Sequence, residues 1–352
     1  MFSMDRIRLI PLRILGTGSR GKSSVVRLLS AALSAFGLNV RGRITGVLPR
    51  ELCPGTPPSS LLEETLLLRS SPTSVEEMRW WLHSLPSGTD AVVMENSAVA
   101  PELQPLAFLW LKPNCSVLTN VRPDHEEVWG KGEENAARAL CSGIGSASAP
   151  EHPVFLPGAV AEKPFVRSLL SENACRLLPC EDGGCFQDTH LAITGAVCGF
   201  FGFDERRGRA AAAMLPPDIA DFALFREEEG LLAAAFSAND PESTEQLFRS
   251  VGWSREETTI LFNARKDRVG RLGAFLPWLR SFPWKKVCLT GGRPLFIPSP
   301  AVGTPLYGAE SLARFVRGEG KVFGCGNVAG TPLEYLESKR EEKMRERRGV
   351  VS

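Results

Sequence analysis

The first 150 residues alternate short apolar runs with longer amphipathic segments. Apolar runs at 91–94 and 116–119 predict buried strands, because a strand covered on both faces needs hydrophobic side chains throughout, and a short strand is predicted at 13–15. Residues 23–36 instead repeat apolar side chains every three or four positions, which is the period of a helix. Further predicted elements are a strand at 39–43, a proline-rich loop at 53–60, and helices at 74–84 and 134–140. This alternation favours a doubly wound, mostly parallel sheet of the P-loop NTPase type.

The alternation resumes at residue 231, after a stretch that is richer in turn signals. Apolar strands are predicted at 232–236, 259–262, 286–289 and 321–323, with helices at 242–251, 270–280 and 311–317. We therefore expect a P-loop domain over 1–230, with an irregular insertion at 147–230. A smaller Rossmann-like α/β domain, ending in a charged helical tail, is expected over 231–352.

The composition is ordinary for a soluble globular protein and does little to narrow the function. Of the 352 residues, 43% are hydrophobic and 23% charged, and the formal net charge is +1. A charge so near zero gives no field that would attract nucleic acid, so no nucleic-acid partner is expected. No apolar run approaches the roughly 20 residues that span a bilayer, and the first 15 residues lack the apolar core of a signal peptide. A cytoplasmic protein is expected, or one held at a membrane by a partner.

Residues 16–23 carry the clearest chemical signal. They read Gly-Thr-Gly-Ser-Arg-Gly-Lys-Ser, between a predicted strand and a predicted helix. In such a P-loop, backbone N–H groups surround phosphate oxygens, the lysine contacts the β- and γ-phosphates, and the serine hydroxyl binds Mg²⁺. The alternative is a glycine-rich helix start without a ligand. The residues predicted to bind ATP here are Gly18, Ser19, Arg20, Gly21, Lys22, Ser23 and Ser24.

Polar residues follow the next two predicted strands. Glu95 comes directly after the run at 91–94, and Asn120, Asp124 and His125 follow the run at 116–119. Because ligands of open α/β sheets bind outside the carboxyl ends of the strands, these side chains are candidates for the same site. We predict that Ser23 and Glu95 bind Mg²⁺ and that His125 binds a second metal ion. The alternatives are a solvated carboxylate and a structural histidine.

Two polar turns of the second domain also follow predicted strands. One, at 238–243, contains Asn239, and the other, at 262–268, combines two arginines with an aspartate. These residue types suit a nucleotide ribose or phosphate, although an exposed charged turn is the ordinary alternative. The candidates for cofactor binding here are Asn239, Asn263, Arg265, Asp267 and Arg268. A glycine-rich loop at 324–330 follows the last predicted strand.

The nine cysteines include no C-x-x-C pair. Cys175, Cys180, Cys185 and His190 recur every five residues, which fits neither a zinc ribbon nor a zinc finger. A surface hairpin with incidental thiols is the favoured interpretation, and zinc binding is the alternative.

Taken together and in this order, the motifs resemble the Mur-ligase superfamily, the ATP-dependent amide ligases that include folylpolyglutamate synthase. Within it, the catalytic subunits of bacterial poly-γ-glutamate synthases, or capsule-biosynthesis ligases, are the most similar. The resemblance rests on the segments 20–24, 95–104, 119–125, 262–268 and 324–330. One departure is that the neighbourhood of 139–141 lacks the carbamylated lysine of many Mur ligases.

The resemblance implies an enzyme that uses ATP and Mg²⁺. ATP would phosphorylate a γ-carboxylate, and the amine of glutamate would attack the acyl phosphate. Lys22, Glu95 and His125 would be catalytic. The substrates would be glutamate and a γ-glutamyl chain, the partner a small integral-membrane subunit, and an oligomer is possible. The alternatives are a Mur-type ligase for another amino acid, a P-loop NTPase that acts as a switch, and a non-catalytic scaffold.

Overall fold

The computed structural model describes residues 5–46, 48–55, 62–67, 74–145, 151–219, 221–238, 240–266, 268–292 and 297–349. The chain divides into two compact units, residues 1–216 and 217–352. Among the described residues, no helix is both long and apolar enough to cross a bilayer.

The described part of the first unit is built on one sheet in the order β4-β3-β2-β5-β1-β6-β7-β8. Its strands are β1 (Leu12–Thr17), β2 (Val40–Ile44), β3 (Arg50–Pro54), β4 (Leu62–Leu66), β5 (Ala91–Glu95), β6 (Cys115–Leu118), β7 (His152–Pro157) and β8 (Cys175–Cys180). All neighbours pair in parallel except β2 with β3 and β3 with β4, which form an antiparallel edge. The predicted loop at 53–60 is therefore wrong at its start, where Cys53 and Pro54 end a strand, and 56–60 lie outside the described residues.

Helices cover both faces of this sheet. They are α1 (Asp5–Arg8), α2 (Lys22–Ala35), α3 (Glu76–Ser84), α4 (Gln104–Leu111), α5 (Glu126–Trp129), α6 (Glu133–Cys141), α7 (Gly158–Ala161), α8 (Pro164–Glu172), α9 (Phe186–Phe200) and α10 (Glu205–Ala213). On β1, Ile14 packs with Val26 and Leu29 of α2 on one face, and the next residue, Leu15, packs with Met78 of α3 on the other. Two covered faces explain the uninterrupted apolar runs, so the doubly wound sheet is confirmed.

The segment 147–230, expected to be irregular, is largely regular where it is described. It supplies β7 and β8 to the sheet and the long helix α9, whose Ile193 and Val197 join the same core as α2. Because α9 packs against α2, α10 and β7, it lacks the clear polar stripe by which a surface helix is recognised.

The cysteine spacing in this segment does not form a hairpin, and that interpretation is wrong. Cys175 and Cys180 lie at the two ends of β8, and His190 lies on α9. Burial raises the pKa of both thiols to about 11. No group of three or more His, Cys, Asp or Glu side chains able to hold a metal ion occurs in the described parts of the chain.

The second unit contains a smaller sheet, in the order β13-β12-β11-β14-β10-β9. Its strands are β9 (Ala223–Glu227), β10 (Gly230–Ala234), β11 (Thr258–Ala264), β12 (Lys286–Gly291), β13 (Val302–Gly303) and β14 (Lys321–Cys325), and its helices are α11 (Pro241–Val251), α12 (Val269–Arg280), α13 (Ala309–Glu319) and α14 (Thr331–Gly349). Every pair is parallel except β9 with β10. The smaller α/β fold expected for this part of the chain is confirmed, and the charged segment at its end forms α14.

A buried histidine makes the stability of the first unit depend on pH. His152, at the start of β7, is 6% exposed, and its Nε2 lies 2.9 Å from the hydroxyl of Ser116. Burial lowers the pKa of His152 from 6.5 to about 4. Between these values the unfolded chain binds a proton that the folded chain does not, so acidification favours unfolding.

We expect the free energy of unfolding to fall as the pH is lowered from 7 to 4.5, with a contribution from His152 of about 2 kcal/mol. Urea titrations at both pH values should show a smaller loss for His152→Gln. Ser116→Ala removes the hydroxyl but keeps the buried imidazole and should retain the full loss. An equal loss in His152→Gln and in the unchanged protein would contradict this assignment.

Candidate nucleotide and metal site

The loop between β1 and α2 turns on two glycines. Gly18 has φ 135° and Gly21 has φ 76°, conformations that residues with a Cβ rarely adopt. A Cβ on Gly18 would overlap the hydroxyl oxygen of Thr119, and one on Gly21 would lie 2.5 Å from Cε1 of His190. The loop is therefore in close contact with the segment that follows β6 on one side and with His190 of α9 on the other.

Asn120 joins this loop to the segment after β6. Its Nδ2 donates to the carbonyl of Arg20 at 3.0 Å, and its Oδ1 accepts from the backbone N–H of Arg20 at 3.1 Å. The N–H of Ser19 donates to the carbonyl of Asn120 at 3.2 Å, and the hydroxyl of Ser19 donates to the carbonyl of Arg122 at 2.6 Å. The side chain of Asn120 thus supports the loop backbone itself.

Charged groups are concentrated around the loop. The guanidinium of Arg20 contacts the carboxylate of Asp124 at 2.5 Å. Burial alone would raise the pKa of Asp124, but Arg20, His125 and Lys22 hold that pKa below its ordinary value. Burial lowers the pKa of Lys22, against the opposing effect of Glu95 and Asp124. The ammonium of Lys22 donates to the carbonyl of Gly18 at 2.7 Å, which places it within the loop.

Glu95 connects the end of β5 to the first turn of α2. The residue is 4% exposed, and its Oε2 accepts from the hydroxyl of Ser23 at 2.8 Å and from the N–H of Thr45 at 3.0 Å. Its other oxygen, Oε1, accepts no hydrogen bond from the described residues and is available to a ligand. A hydroxyl and a carboxylate at this separation fit Mg²⁺, which prefers oxygen ligands and takes the rest from phosphates and water.

One pocket brings together the three side chains predicted to be catalytic, Lys22, Glu95 and His125. His125 has φ 45°, and its Nε2 lies 3.8 Å from Oδ2 of Asp124. Its ring centroid lies 5.3 Å from that of Trp129. Of the other predicted residues, Gly18 lines this pocket, and Ser24 follows Ser23 in the first turn of α2. Metal binding at His125 stays a prediction.

Several residues of the pocket were not selected from the sequence. Thr45, Asn96, Gln104 and Trp129 also line it. Thr45 follows β2 at the same edge of the sheet as Glu95, so its position after a strand could have indicated it. Trp129, four residues after His125, could have been found as its neighbour on one helical turn.

The polar cluster of the second unit is held mainly by amides. Asn263, at the end of β11, is 2% exposed, and its Nδ2 donates to the carbonyls of Asn327 and Ala329 at 2.7 and 2.9 Å. Asn327 returns a hydrogen bond from its Nδ2 to the carbonyl of Asn263 at 2.8 Å, and its Oδ1 accepts from Arg271. The side chain of Asn263 therefore joins the ends of β11 and β14.

The remaining candidates of the second unit flank this cluster. Arg265 is exposed after β11, and Arg268 directly precedes α12. Asn239 and Asp267 lie outside the described residues. Nucleotide binding by Asn239, Asn263, Arg265, Asp267 and Arg268 stays a prediction.

Two family models match the chain. Residues 17–146 match the Mur ligase middle domain, a span that contains the P-loop, Glu95 and His125. Residues 219–342 match the poly-gamma-glutamate synthase CapB C-terminal domain, which covers most of the second unit.

Two relatives are similar to most of the chain. The chain is 26% identical over 299 residues to the PGA synthase CapB of Bacillus subtilis (strain 168), covering 77% of this chain and 73% of that protein. It is 25% identical over 299 residues to the capsule biosynthesis protein CapB of Bacillus anthracis, covering 78% of this chain and 63% of the relative. A solved bifunctional folylpolyglutamate synthase/dihydrofolate synthase with Mn, AMPPNP and L-glutamate bound has the same fold. Its TM-score is 0.63 at 14% identity, over 94% of this chain and 93% of that one.

The contact between Gly21 and His190 gives a direct test of the loop. Gly21→Ala combines left-handed strain with a clash against the imidazole, whereas Gly37→Ala, at φ 86° with open space around it, has only the strain. We expect Gly37→Ala to cost about 1 kcal/mol of unfolding free energy. Gly21→Ala should cost more and weaken ADP binding by at least about tenfold.

The clash itself is measured by adding His190→Ala. Urea titrations should show that the two changes cost less together than the sum of the single changes. Strictly additive costs, or ADP affinity in Gly21→Ala equal to that of Gly37→Ala, would show that His190 does not restrain the loop.

Proposed function

We propose that the chain is a member of the Mur-ligase superfamily, an ATP-dependent amide ligase that joins glutamate to a γ-glutamyl chain. The observation that carries this proposal is the pocket in which Lys22 and Glu95 meet at the P-loop. The match of residues 219–342 to the poly-gamma-glutamate synthase domain favours this product over other amide ligations. The 26% identity to the PGA synthase of Bacillus subtilis supports the same substrate.

Amide formation requires a carboxylate to be activated, because it has no good leaving group. It does not react with an amine at neutral pH because its oxygen is a poor leaving group, and transfer of a phosphoryl group from ATP makes it a good one. Phosphoryl transfer requires mainly positioning and neutralisation of charge. We propose that Lys22 supplies one positive charge next to the β- and γ-phosphates, from a position fixed by its hydrogen bond to Gly18.

Ser23 and Glu95 would hold Mg²⁺ through their oxygen atoms, and bound Mg²⁺ would neutralise charge on the phosphates. Thr45 orients the carboxylate of Glu95 through its backbone N–H, so this acid is already aligned. Arg20, paired with Asp124, adds a positive charge to the loop. His125 lines the same pocket, where a neutral imidazole suits a second metal ion.

The second unit also carries residues predicted to bind nucleotide. We propose that Asn239, Arg265, Asp267 and Arg268 contact the ribose or the phosphates. Asn263 would act by joining the ends of β11 and β14, because its amide donates to the carbonyls of Asn327 and Ala329.

The polymer itself suggests where the protein works. A growing polyanionic chain has to leave the site of synthesis, and the resemblance to poly-γ-glutamate synthases implies a small integral-membrane subunit. We propose that the protein acts at the cytoplasmic side of the membrane through such a partner. Oligomerisation is compatible with this arrangement.

The test is ADP release with Mg-ATP, with and without L- or D-glutamate and a short γ-glutamyl acceptor, followed by mass spectrometry. We expect release that depends on glutamate, together with a new γ-amide product. Release indifferent to glutamate, repeated with the membrane subunit present, would contradict the ligase assignment and favour a switch NTPase.

Removal of the P-loop charge should abolish this activity without unfolding the protein. We expect Lys22→Ala to lower glutamate-dependent ADP release by at least about 10²-fold, the effect typical of a lost transition-state contact. Lys131→Ala removes an exposed lysine and should keep the original rate. Normal ligase activity in a folded Lys22→Ala protein would refute the proposed mechanism.

A further inference from the structure

Two buried amide side chains form a closed ring of hydrogen bonds directly behind Glu95. Nδ2 of Asn96 donates to Oε1 of Gln104 at 2.9 Å and to the backbone carbonyl of Gln104 at 3.1 Å. Nε2 of Gln104 donates to the carbonyl of Ala98 at 2.7 Å, and the N–H of Ala98 donates to Oδ1 of Asn96 at 3.1 Å. Asn96 is 2% exposed and Gln104 is 1% exposed. We call this pair the amide lock.

The lock fixes the chain where β5 leaves the sheet. The backbone N–H of Asn96 donates to the carbonyl of Gly16 at 2.8 Å, which continues the contact of β5 with β1 one residue beyond Glu95. Farther along the same loop, the carbonyl of Val99 accepts from the indole N–H of Trp129 at 2.6 Å. The loop that contains the lock therefore connects the strand of Glu95 with the helical turn that follows His125.

Gly143 packs closely against both amides of the lock. A Cβ on this residue would lie 2.9 Å from the carbonyl oxygen of Gln104 and 3.1 Å from Nδ2 of Asn96. Gly143 does not adopt a positive φ, so its lack of a side chain is explained by this close approach and not by backbone conformation.

From these contacts we infer that Asn96 and Gln104 are positioning residues that hold the carboxylate of Glu95 in the geometry that binds the nucleotide's Mg²⁺. The inference rests on the proposed function, in which Glu95 holds this ion. Among the described residues, Ser23 and Thr45 hydrogen-bond the carboxylate, both through the same oxygen. The backbone on which it stands must be rigid for the other oxygen to keep its place, and the lock supplies that rigidity.

The lock uses neutral groups for a physical reason. Each amide offers both donors and an acceptor, so two of them satisfy each other and the loop backbone without adding charge. A charged pair at this position would change the field at Glu95 and Lys22, where the balance of charge is part of the chemistry.

The test measures how strongly Mg²⁺ and ADP assist each other's binding. Calorimetry gives the dissociation constant of ADP with Mg²⁺ and with excess EDTA, and the ratio of the two reports the metal site independently of turnover. The unchanged protein must first show tighter ADP binding with Mg²⁺. If it does not, the proposed Mg²⁺ site fails, and with it the basis of this inference.

Two variants then disturb the lock in different ways. Gln104→Leu removes its hydrogen bonds, and Gly143→Ala presses on it with one methyl group from outside the pocket. We expect both to lower the Mg²⁺-dependent ratio by about 10- to 100-fold, as is typical for outer partners of metal ligands. For Gly143→Ala, ADP affinity in EDTA should stay within about twofold, because the added methyl group lies outside the pocket and the P-loop is untouched.

Gly318→Ala, in α13 with open space around it, is the matched control and should keep the original ratio. A merely structural lock would lower the thermal stability of both variants but leave the ratio unchanged, and that result would overturn the inference. Gly143→Ala gives the answer alone if Gln104→Leu does not fold.

Discussion

The nucleotide pocket depends on one arrangement, the parallel pairing of β1 with β5 on one side and β6 on the other. The carboxyl ends of parallel strands meet at one edge of the sheet. The P-loop after β1, Glu95 at the end of β5 and the segment after β6 therefore meet there. The apolar cores on both faces of β1, through Ile14 and Leu15, hold this strand at the centre. The hydrogen bond between Ser23 and Glu95 follows from this arrangement.

Side-chain amides stabilise each of these strand ends. Asn120 pairs with the backbone of Arg20 in the P-loop, and Asn96 with Gln104 behind Glu95. In the second unit, Asn263 and Asn327 exchange hydrogen bonds between β11 and β14. An irregular segment that leaves a buried sheet has unpaired backbone groups, and an amide satisfies them without adding charge.

Much of the fold could be predicted because its signals are local. The apolar run at 91–94 and the helix at 23–36 appear in the structure as β5 and α2, shifted by a residue at their ends. Helix α9 was missed because a helix buried on most sides has no polar stripe. The strands β3 and β4 were missed because prolines in 53–60 indicate a loop, whereas Pro54 is the last residue of β3.

The sequence by itself determined the P-loop and the polar residues that follow the next parallel strands. Each of these polar residues lies within a few positions of an apolar run, so a local pattern was enough to find it. Only the tertiary structure decided which of them the protein uses for its own support. The amides of Asn120 and Asn263, for example, bind backbone groups 100 and 64 residues away. The structural role of Gly143 also appears only in the tertiary structure, where the absence of a side chain makes room for Asn96 and Gln104. Such contacts join residues distant in the chain, so no local periodicity or spacing records them.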